Sequence, residues 1–302
     1  FDNQNQLEGE KAFEILNRFA EVGGNFIDTS NNYSYGKSEE IVGNWLSSQK
    51  RDRFVIATKC GVPSDMTNVN SGGLSRKNIV QTVEGSLKRL QTDYVDLLQT
   101  HIWDVATPIE ETLRTLDDLV RSGKVRYIGC SNVCGWQLQK ILCLSKSLGL
   151  TDFVSLQQQY NLLTRSSELE EIQVCRNEGL GLIPFSALKN GLLTGKYKRD
   201  KTPEASQGRV GFMLGSGSFM LDSWSTYSND EKFWNIQDKL TSIAGKHSKT
   251  VAQVSLRWLL QKEIVPSVII GVTSLKQLEE NVEAAIGWEL TEGEVGNYKG
   301  NQ

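Results

Sequence analysis

Histidine is nearly absent from this 302-residue chain: there are two, His101 and His247. A His-rich metal site is thereby nearly excluded, and no metal is expected. Cysteine is sparse and badly placed for pairing. The five, at 60, 130, 134, 143 and 175, are odd in number, unevenly spaced and never in a Cys-x-x-Cys motif. A disulfide framework is unusual at this length, so reduced thiols and a cytoplasmic setting are expected. Neither charge sign dominates. Lys+Arg is 33 against 36 for Asp+Glu, a net charge of −3, so nucleic acid, which needs a basic face, is not an expected partner. No apolar stretch approaches the ~20 residues of a membrane span. The polar start, Phe1-Asp2-Asn3-Gln4-Asn5, is read as carrying no signal peptide.

What is present is a rhythm. Short apolar runs occur at 25–28 (NFID), 54–58 (FVIAT), 95–99 (VDLLQ), 126–130 (RYIGC), 153–157 (FVSLQ), 180–185 (LGLIPF) and 268–271 (VIIG). Between them apolar residues recur at helical spacing: Phe13, Leu16 and Ala20; Ile79, Val83, Leu87 and Leu90; Leu113, Leu116 and Val120. Strand followed by helix, repeatedly, means parallel strands with crossover helices. Six runs follow one another at roughly 27 to 41 residues, which favours a single (β/α)8 TIM barrel over 1–302 rather than a doubly wound sheet. The first element, a helix at about 10–22, precedes the first run. Strand 1 is therefore expected to be missing from this chain, with the natural protein longer at its N-terminus; a segment within 60–75 or 205–225 is the alternative occupant of the slot. Residues 188–230 are read as a long loop, Gly- and Ser-rich and without period from 200 on. Helical patterns near 231–245 and 250–262 follow it.

In a barrel, residues just past each strand's C-terminal end line the active site. Those positions hold Asp28 and Tyr33, Lys59, His101, Ser131 and Asn132, and Gln157. Asp28 and Lys59 each end an apolar run that should be buried. A buried charge needs a partner, and each can be the other's. His101 reads either as a site residue or as a hydrogen-bonded core imidazole. His247 reads as a surface residue, and Tyr33 alone would be an exposed turn residue.

Residues 26–39 (FIDTSNNYSYGKSE) resemble the first signature of the aldo-keto reductases, an Asp with a Tyr five residues later and Ser-Glu opening a helix. Thr58-Lys59 and 99–104 (QTHIWD) are similar to the family's Lys and His sites. The stretches 129–132 (GCSN), 157–162 (QQQYNL), 191–197 (GLLTGKY) and 277–281 (QLEEN) follow in family order. The motifs favour the branch that contains bacterial-type reductases and potassium-channel β-subunits. The resemblance implies NADPH-dependent reduction of a small-molecule aldehyde or ketone, with Asp28, Tyr33, Lys59 and His101 catalytic. It implies that Ser131, Asn132 and Gln157 hold the nicotinamide amide. Ser186, Leu188 and Gly191 would serve the pyrophosphate under a cofactor-covering loop at 188–230, and Arg209 would add charge there. Gly271, Thr273 and Gln277 would meet the 2′-phosphate, Glu280 and Asn281 the adenine side, and Trp103 the substrate. Many members carry Lys and Arg where this chain has Gly271 and Gln277. No Gly-x-Gly-x-x-Gly follows any run, which agrees with a barrel-bound dinucleotide. The rival from another class is a nicotinamide-binding regulatory subunit.

The chemistry is consistent with those roles. A tyrosine proton donor, with a free pKa near 10, needs a shift of roughly three units, about 4 kcal/mol, to work near neutrality. One ammonium about 4 Å away supplies roughly 4 kcal/mol at an effective dielectric of 20. Lys59 is therefore expected to lower the Tyr33 pKa, Asp28 to hold Lys59 charged, and a neutral His101 to donate a hydrogen bond to the carbonyl.

Overall fold

A computed structural model describes residues 9–216 and 224–296. They form two compact units: one holds the chain up to 158 with 167–183 and 272–275, the other 159–166, 184–271 and the chain from 276 on.

In the first unit the apolar runs are strands. They are β1 (Phe26–Asp28), β2 (Val55–Cys60), β3 (Val95–Thr100), β4 (Val125–Ser131), β5 (Phe153–Gln159) and β6 (Gly181–Phe185), which begins here and ends in the second unit. The helix α1 (Gly9–Glu21) precedes them. Each connection carries a crossover helix: α2 (Lys37–Leu46), α3 (Arg76–Leu90), α4 (Ile109–Arg121), α5 (Gly135–Ser147) and α6 (Glu171–Glu178). The six strands make one parallel sheet in chain order, β1 to β6. A doubly wound sheet reverses its order at a switch point, whereas this one never does, and so belongs to the (β/α)8 class. Its registers, Lys59 opposite Gln99 and Ser131 opposite Gln157, bring strand ends level.

Local rules explain the helices. Ser75 caps α3 by accepting from the Asn78 N–H, and Gln91 ends it in a left-handed turn. Its stripe of Ile79, Val83, Leu87 and Leu90 is buried, as is Leu113 and Leu116 on α4, against a core containing Ile56, Leu98, Ile128 and Leu156. The helix α2 lies so close to α3 that a Cβ at Gly43 would overlap the Arg89 carbonyl.

The second unit contains a 3-10 turn over Lys189–Thr194, then α7 (Gly208–Ser216), α8 (Trp224–Ser228), α9 (Glu231–His247), α10 (Val251–Leu260), α11 (Leu275–Val282, all but its first residue) and α12 (Glu292–Gly296). Its aromatic core joins Leu192, Tyr197, Val210, Trp224, Phe233 and Trp234.

Three expectations need correction. Residues 268–271 form no strand. Ile269 N–H donates to the Pro184 carbonyl at 2.9 Å, but Pro184 has no N–H to return, so no ladder builds on that side. The 188–230 stretch is not a plain loop, because α7 and α8 lie in it. Their burial of Val210, Met213 and Trp224 is carried by elements of nine and five residues, too short and glycine-broken to show a period. Neither alternative slot supplies a described strand: 61–75 is irregular and 208–216 is helical, while 217–223 and 1–8 lie outside the described residues. Among the described residues no helix is long and apolar enough to cross a membrane, and no cluster of His, Cys, Asp and Glu has metal-ligand spacing.

Candidate active site

Lys59 comes from β2 with its side chain wholly buried. Its ammonium has three hydrogens and three acceptors: Asp28 Oδ2 at 2.5 Å, the Thr29 carbonyl at 3.0 Å and Tyr33 Oη at 3.2 Å. Asp28, at the end of β1, uses its other oxygen to accept from Gln157 Nε2 at 2.8 Å and Gln99 Nε2 at 3.2 Å. The partner foreseen for each charge is therefore present, and the carboxylate is further satisfied by two amides. Tyr33 follows in a short 3-10 turn, Tyr33–Gly36.

The electrostatics correct one expectation. Tyr33 is held above its ordinary pKa, not below it. Burial is the largest cause; Lys59 pulls the value down, and the Asp28 carboxylate pushes it up. Burial first, and the Asp28 carboxylate with it, outweigh the pull of the Lys59 ammonium, which alone would lower the value. His101, just past β3, packs the edge of its ring against Tyr33, centroids 5.7 Å apart at 78°. Burial first and Lys59 second push its pKa down to about 4. The imidazole is thus neutral near pH 7, as expected. Its Nδ1 lies 3.2 Å from Ser30 Oγ.

Ser131 and Asn132 end β4 beside Gln157 of β5. Asn132 stands in a left-handed conformation, φ 53°, uncommon for a non-glycine residue and frequent at functional sites. Its Nδ2 donates to the His101 carbonyl at 2.9 Å and to Ser131 Oγ at 3.0 Å. Asn132 N–H also donates to the Gln157 carbonyl at 3.4 Å, which joins the His101–Asn132–Ser131 group to the Gln157–Asp28–Lys59–Tyr33 group. Trp103 lies two residues beyond His101, edge-on to Trp136 of α5, centroids 5.7 Å apart.

The remaining expected contacts are placed as follows. Thr273 is exposed in the first unit. Ser186, Leu188 and Gly191 belong to the second unit's turn after β6, where Ser186, Lys189, Asn190 and Gly191 all have positive φ. Arg209 is exposed on α7 and Gly271 exposed before α11. Gln277, Glu280 and Asn281 sit at i, i+3 and i+4 on α11, so they share one face.

Sequence reading missed several residues. Gln99 was visible as a polar residue inside an apolar strand. Trp136, on α5, lies off the strand ends and gave no signal, while Ser30 stands two residues past β1 inside the 26–39 stretch and was not singled out. Lys196, within the 191–197 motif, is exposed, with its ammonium 5.0 Å from the Tyr197 ring centroid and in the space that a side chain at Gly191 or Gly208 would fill. Burial lowers its pKa, and it makes no ion pair among the described residues.

A parallel β/α sheet whose strand ends carry a buried Lys–Asp pair, a tyrosine and a neutral histidine defines a class of barrel oxidoreductases. The Aldo/keto reductase family model matches residues 1–299, and the chain belongs to that family. It is 35% identical over 292 residues to norsolorinic acid reductase B of Dothistroma septosporum, covering 95% of this chain and 70% of the relative. An aldo-keto reductase of Metarhizium robertsii is 36% identical over 311 residues, covering 95% and 80%. An aryl-alcohol dehydrogenase of Pestalotiopsis microspora is 33% identical over 293 residues, covering 95% and 71%. The protein is accordingly an oxidoreductase of a family that reduces small-molecule carbonyls with NAD(P)H.

The residues present fit a nicotinamide carboxamide, which offers two N–H donors and one acceptor. Asn132 Oδ1 and Gln157 Oε1 accept no hydrogen bond among the described residues, while both side-chain nitrogens are committed. Ser131 Oγ already accepts from Asn132 and so keeps its hydrogen to donate. Two acceptors and one donor match the group.

Proposed function

We propose that the protein reduces an aryl aldehyde or ketone with NADPH, Tyr33 supplying the proton. The observation that carries this reading is the Lys59 Nζ to Tyr33 Oη hydrogen bond at 3.2 Å. A phenol oxygen that accepts from an ammonium keeps its own hydrogen to give to a substrate oxygen. Bound NADPH supplies the hydride. The residues act around that event: Asp28 keeps Lys59 charged and in place, and Lys59 stabilises negative charge as the Tyr33 proton leaves.

Ser131, Asn132 and Gln157 are assigned to the carboxamide. In the second unit, Ser186, Leu188, Gly191 and Arg209 are assigned to the pyrophosphate. Lys196 joins them, since an ammonium that makes no ion pair among the described residues and lies beside Gly191 and Gly208 suits a phosphate. Gly271, Thr273 and Gln277 are assigned to the 2′-phosphate, and Glu280 and Asn281 to the adenine side. The whole chain, 1–302, is read as one barrel domain with 188–230 covering the cofactor. Free cysteines at all five positions support a cytoplasmic setting.

The aryl preference rests on Trp103 and on Trp136, which is 59% exposed, together with relatives named norsolorinic acid reductase and aryl-alcohol dehydrogenase. An edge-on pair of indoles offers a flat ring the stacking geometry it favours. The complete set of Asp28, Tyr33, Lys59 and His101 supports an enzyme over a regulatory subunit. Following NADPH absorbance against a panel of aryl and aliphatic carbonyls tests the reading. Turnover is expected with aryl carbonyls; no turnover with any carbonyl would overturn it.

A further inference from the structure

Tyr33 is carried on a strained turn. Ser34 and Tyr35 stand in the left-handed region at φ 51° and 56°, followed by Gly36 at φ 92°. Residues with a side chain keep that conformation only where their surroundings over-determine it. The Tyr35 ring is 72% exposed and fastens nothing to the core. Arg89 of α3 supplies a contact from outside the turn. Its stem lies on Gly36, where an added Cβ would come within 3.0 Å of Cδ and 3.1 Å of Nε. The guanidinium passes Gly85 of its own helix as closely: a Cβ there would be 3.1 Å from Nη1. Arg89 Nε donates to Glu39 Oε2 at 2.8 Å, and Nη2 also lies 2.8 Å from that oxygen. Glu39, the glutamate of the Ser-Glu pair that opens α2, has no exposed surface, and its Oε1 accepts from Thr58 Oγ1 at 2.5 Å. Thr58 immediately precedes Lys59 on β2. A wholly buried carboxylate needs a cation and hydrogen bonds to be tolerated, and here the cation is the residue that lies over the turn.

We propose that Arg89, anchored by Glu39, is a positioning residue that keeps the Tyr33 turn closed and the phenol set against Lys59. The latch ties the turn after β1 to α2, to α3 and, through Thr58, to β2. Both partners of the Lys59–Tyr33 bond at 3.2 Å are thereby referred to the same carboxylate. A turn built on left-handed Ser34 and Tyr35 relaxes when nothing holds it, and relaxation carries Tyr33 outward into water. The contacts of Arg89 with Glu39, Ser86, Gly36 and Gly85 include no member of the catalytic four, so its effect on the reaction passes through Tyr33. That consequence rests on the reductase reading above; the positioning itself does not.

The test reads Tyr33 itself. Tyrosinate difference absorbance, each variant against the same variant carrying Tyr33→Phe, isolates its titration. Burial is the main reason that this titration stands above the ordinary tyrosine value, so a released phenol titrates lower. Arg89→Met should bring it down toward that value. Removing a cation without moving the turn would instead raise it, so the sign separates position from charge. Glu39→Asp keeps the charge but shortens the anchor, and should also bring the titration down. A change in global stability alone moves neither, circular dichroism confirming that the variants stay folded across the titration. With an aryl aldehyde, kcat should fall by about 10–10²-fold in both variants, while the Kd for NADPH from fluorescence titration stays close to the parent's. Arg89→Met or Glu39→Asp titrating at or above the parent would overturn the proposal. Should Arg89→Met fail to fold, Glu39→Asp decides it. A lowered titration in a protein that reduces no carbonyl would uphold the latch and overturn only the function around it.

Discussion

Tyr33 is where the local charges matter most. It is half-buried and sits beside an ammonium that is itself saturated by a carboxylate. Burial and Asp28 raise its pKa while Lys59 lowers it, so the resting phenol is protonated and ready to donate. Tyr33→Phe should reduce kcat by about 10²–10⁴-fold, the range for a lost general acid, while NADPH binding by fluorescence titration stays close to the parent. Substantial residual turnover would assign the proton to another group. The two charges can be separated by mutation. Asp28→Asn removes a raising influence and should shift the Tyr33 titration to lower pH; Lys59→Met removes the lowering one and should shift it up. Difference absorbance of tyrosinate against a Tyr33→Phe control reads both. Lys59→Met also strands a buried carboxylate and should cost about 3–5 kcal/mol of stability. Shifts of the same sign in the two variants would break the account.

Elements reveal how far sequence carries. The first six strands were legible because each is an apolar run bounded by polar turns, and every observed strand lies within three residues of its expected limits. Asp28 and Lys59 were legible for a related reason: a charge ending a buried run must find a partner. The run at 268–271 failed because hydropathy does not show whether a neighbour can return a hydrogen bond, and Pro184 cannot. Trp136 was silent because its ring contact is with Trp103, in another β/α unit distant in sequence. His247, read as a surface residue, instead ties α9 to α12. Its Nε2 lies 3.0 Å from Glu294 Oε2, which also accepts from the Thr291 N–H at 3.0 Å, while Thr291 Oγ1 accepts back from the Glu294 N–H. This is a capping box, Thr-x-x-Glu. Backbone and His247 bonds pull the Glu294 pKa down to about 2. A carboxylate with a depressed folded pKa contributes stability that is full above its unfolded value, near 4.3, and lost as pH falls toward about 2. Glu294→Gln keeps an acceptor but loses the charge. It should be less stable than the parent by about 1.5–3 kcal/mol at neutral pH, the range for bonds to charged groups. Urea melts across pH should show that gap closing in acid; a gap independent of pH would mean the charge contributes nothing.

At the scale of the whole molecule the open matter is which nicotinamide cofactor the protein prefers. On the proposed assignment Gly271 and Gln277 stand where many members of the family carry cations for the 2′-phosphate, while α11 presents Gln277, Glu280 and Asn281 on one face. Neutral hydrogen bonds contribute about 1 kcal/mol each and charge-assisted ones about 1.5–3, so a preference carried by Thr273 and Gln277 should be real but modest. Lys196 is different. The pyrophosphate assigned to it is common to both cofactors, so its charge cannot discriminate. Lys196→Met should therefore weaken NADPH and NADH equally. Gln277→Ala should instead narrow the ratio of their kcat/KM values by about 5–10-fold, the worth of one neutral bond. Binding stabilises a fold by RT ln(1 + [L]/Kd), about 2.7 kcal/mol at a hundredfold excess over Kd. A thermal melt with NADP+ should thus lie above one with NAD+ at equal concentration. The difference should shrink in Gln277→Ala and persist in Lys196→Met. Equal shifts by the two cofactors in the parent protein would show that nothing on α11 reads the 2′-phosphate.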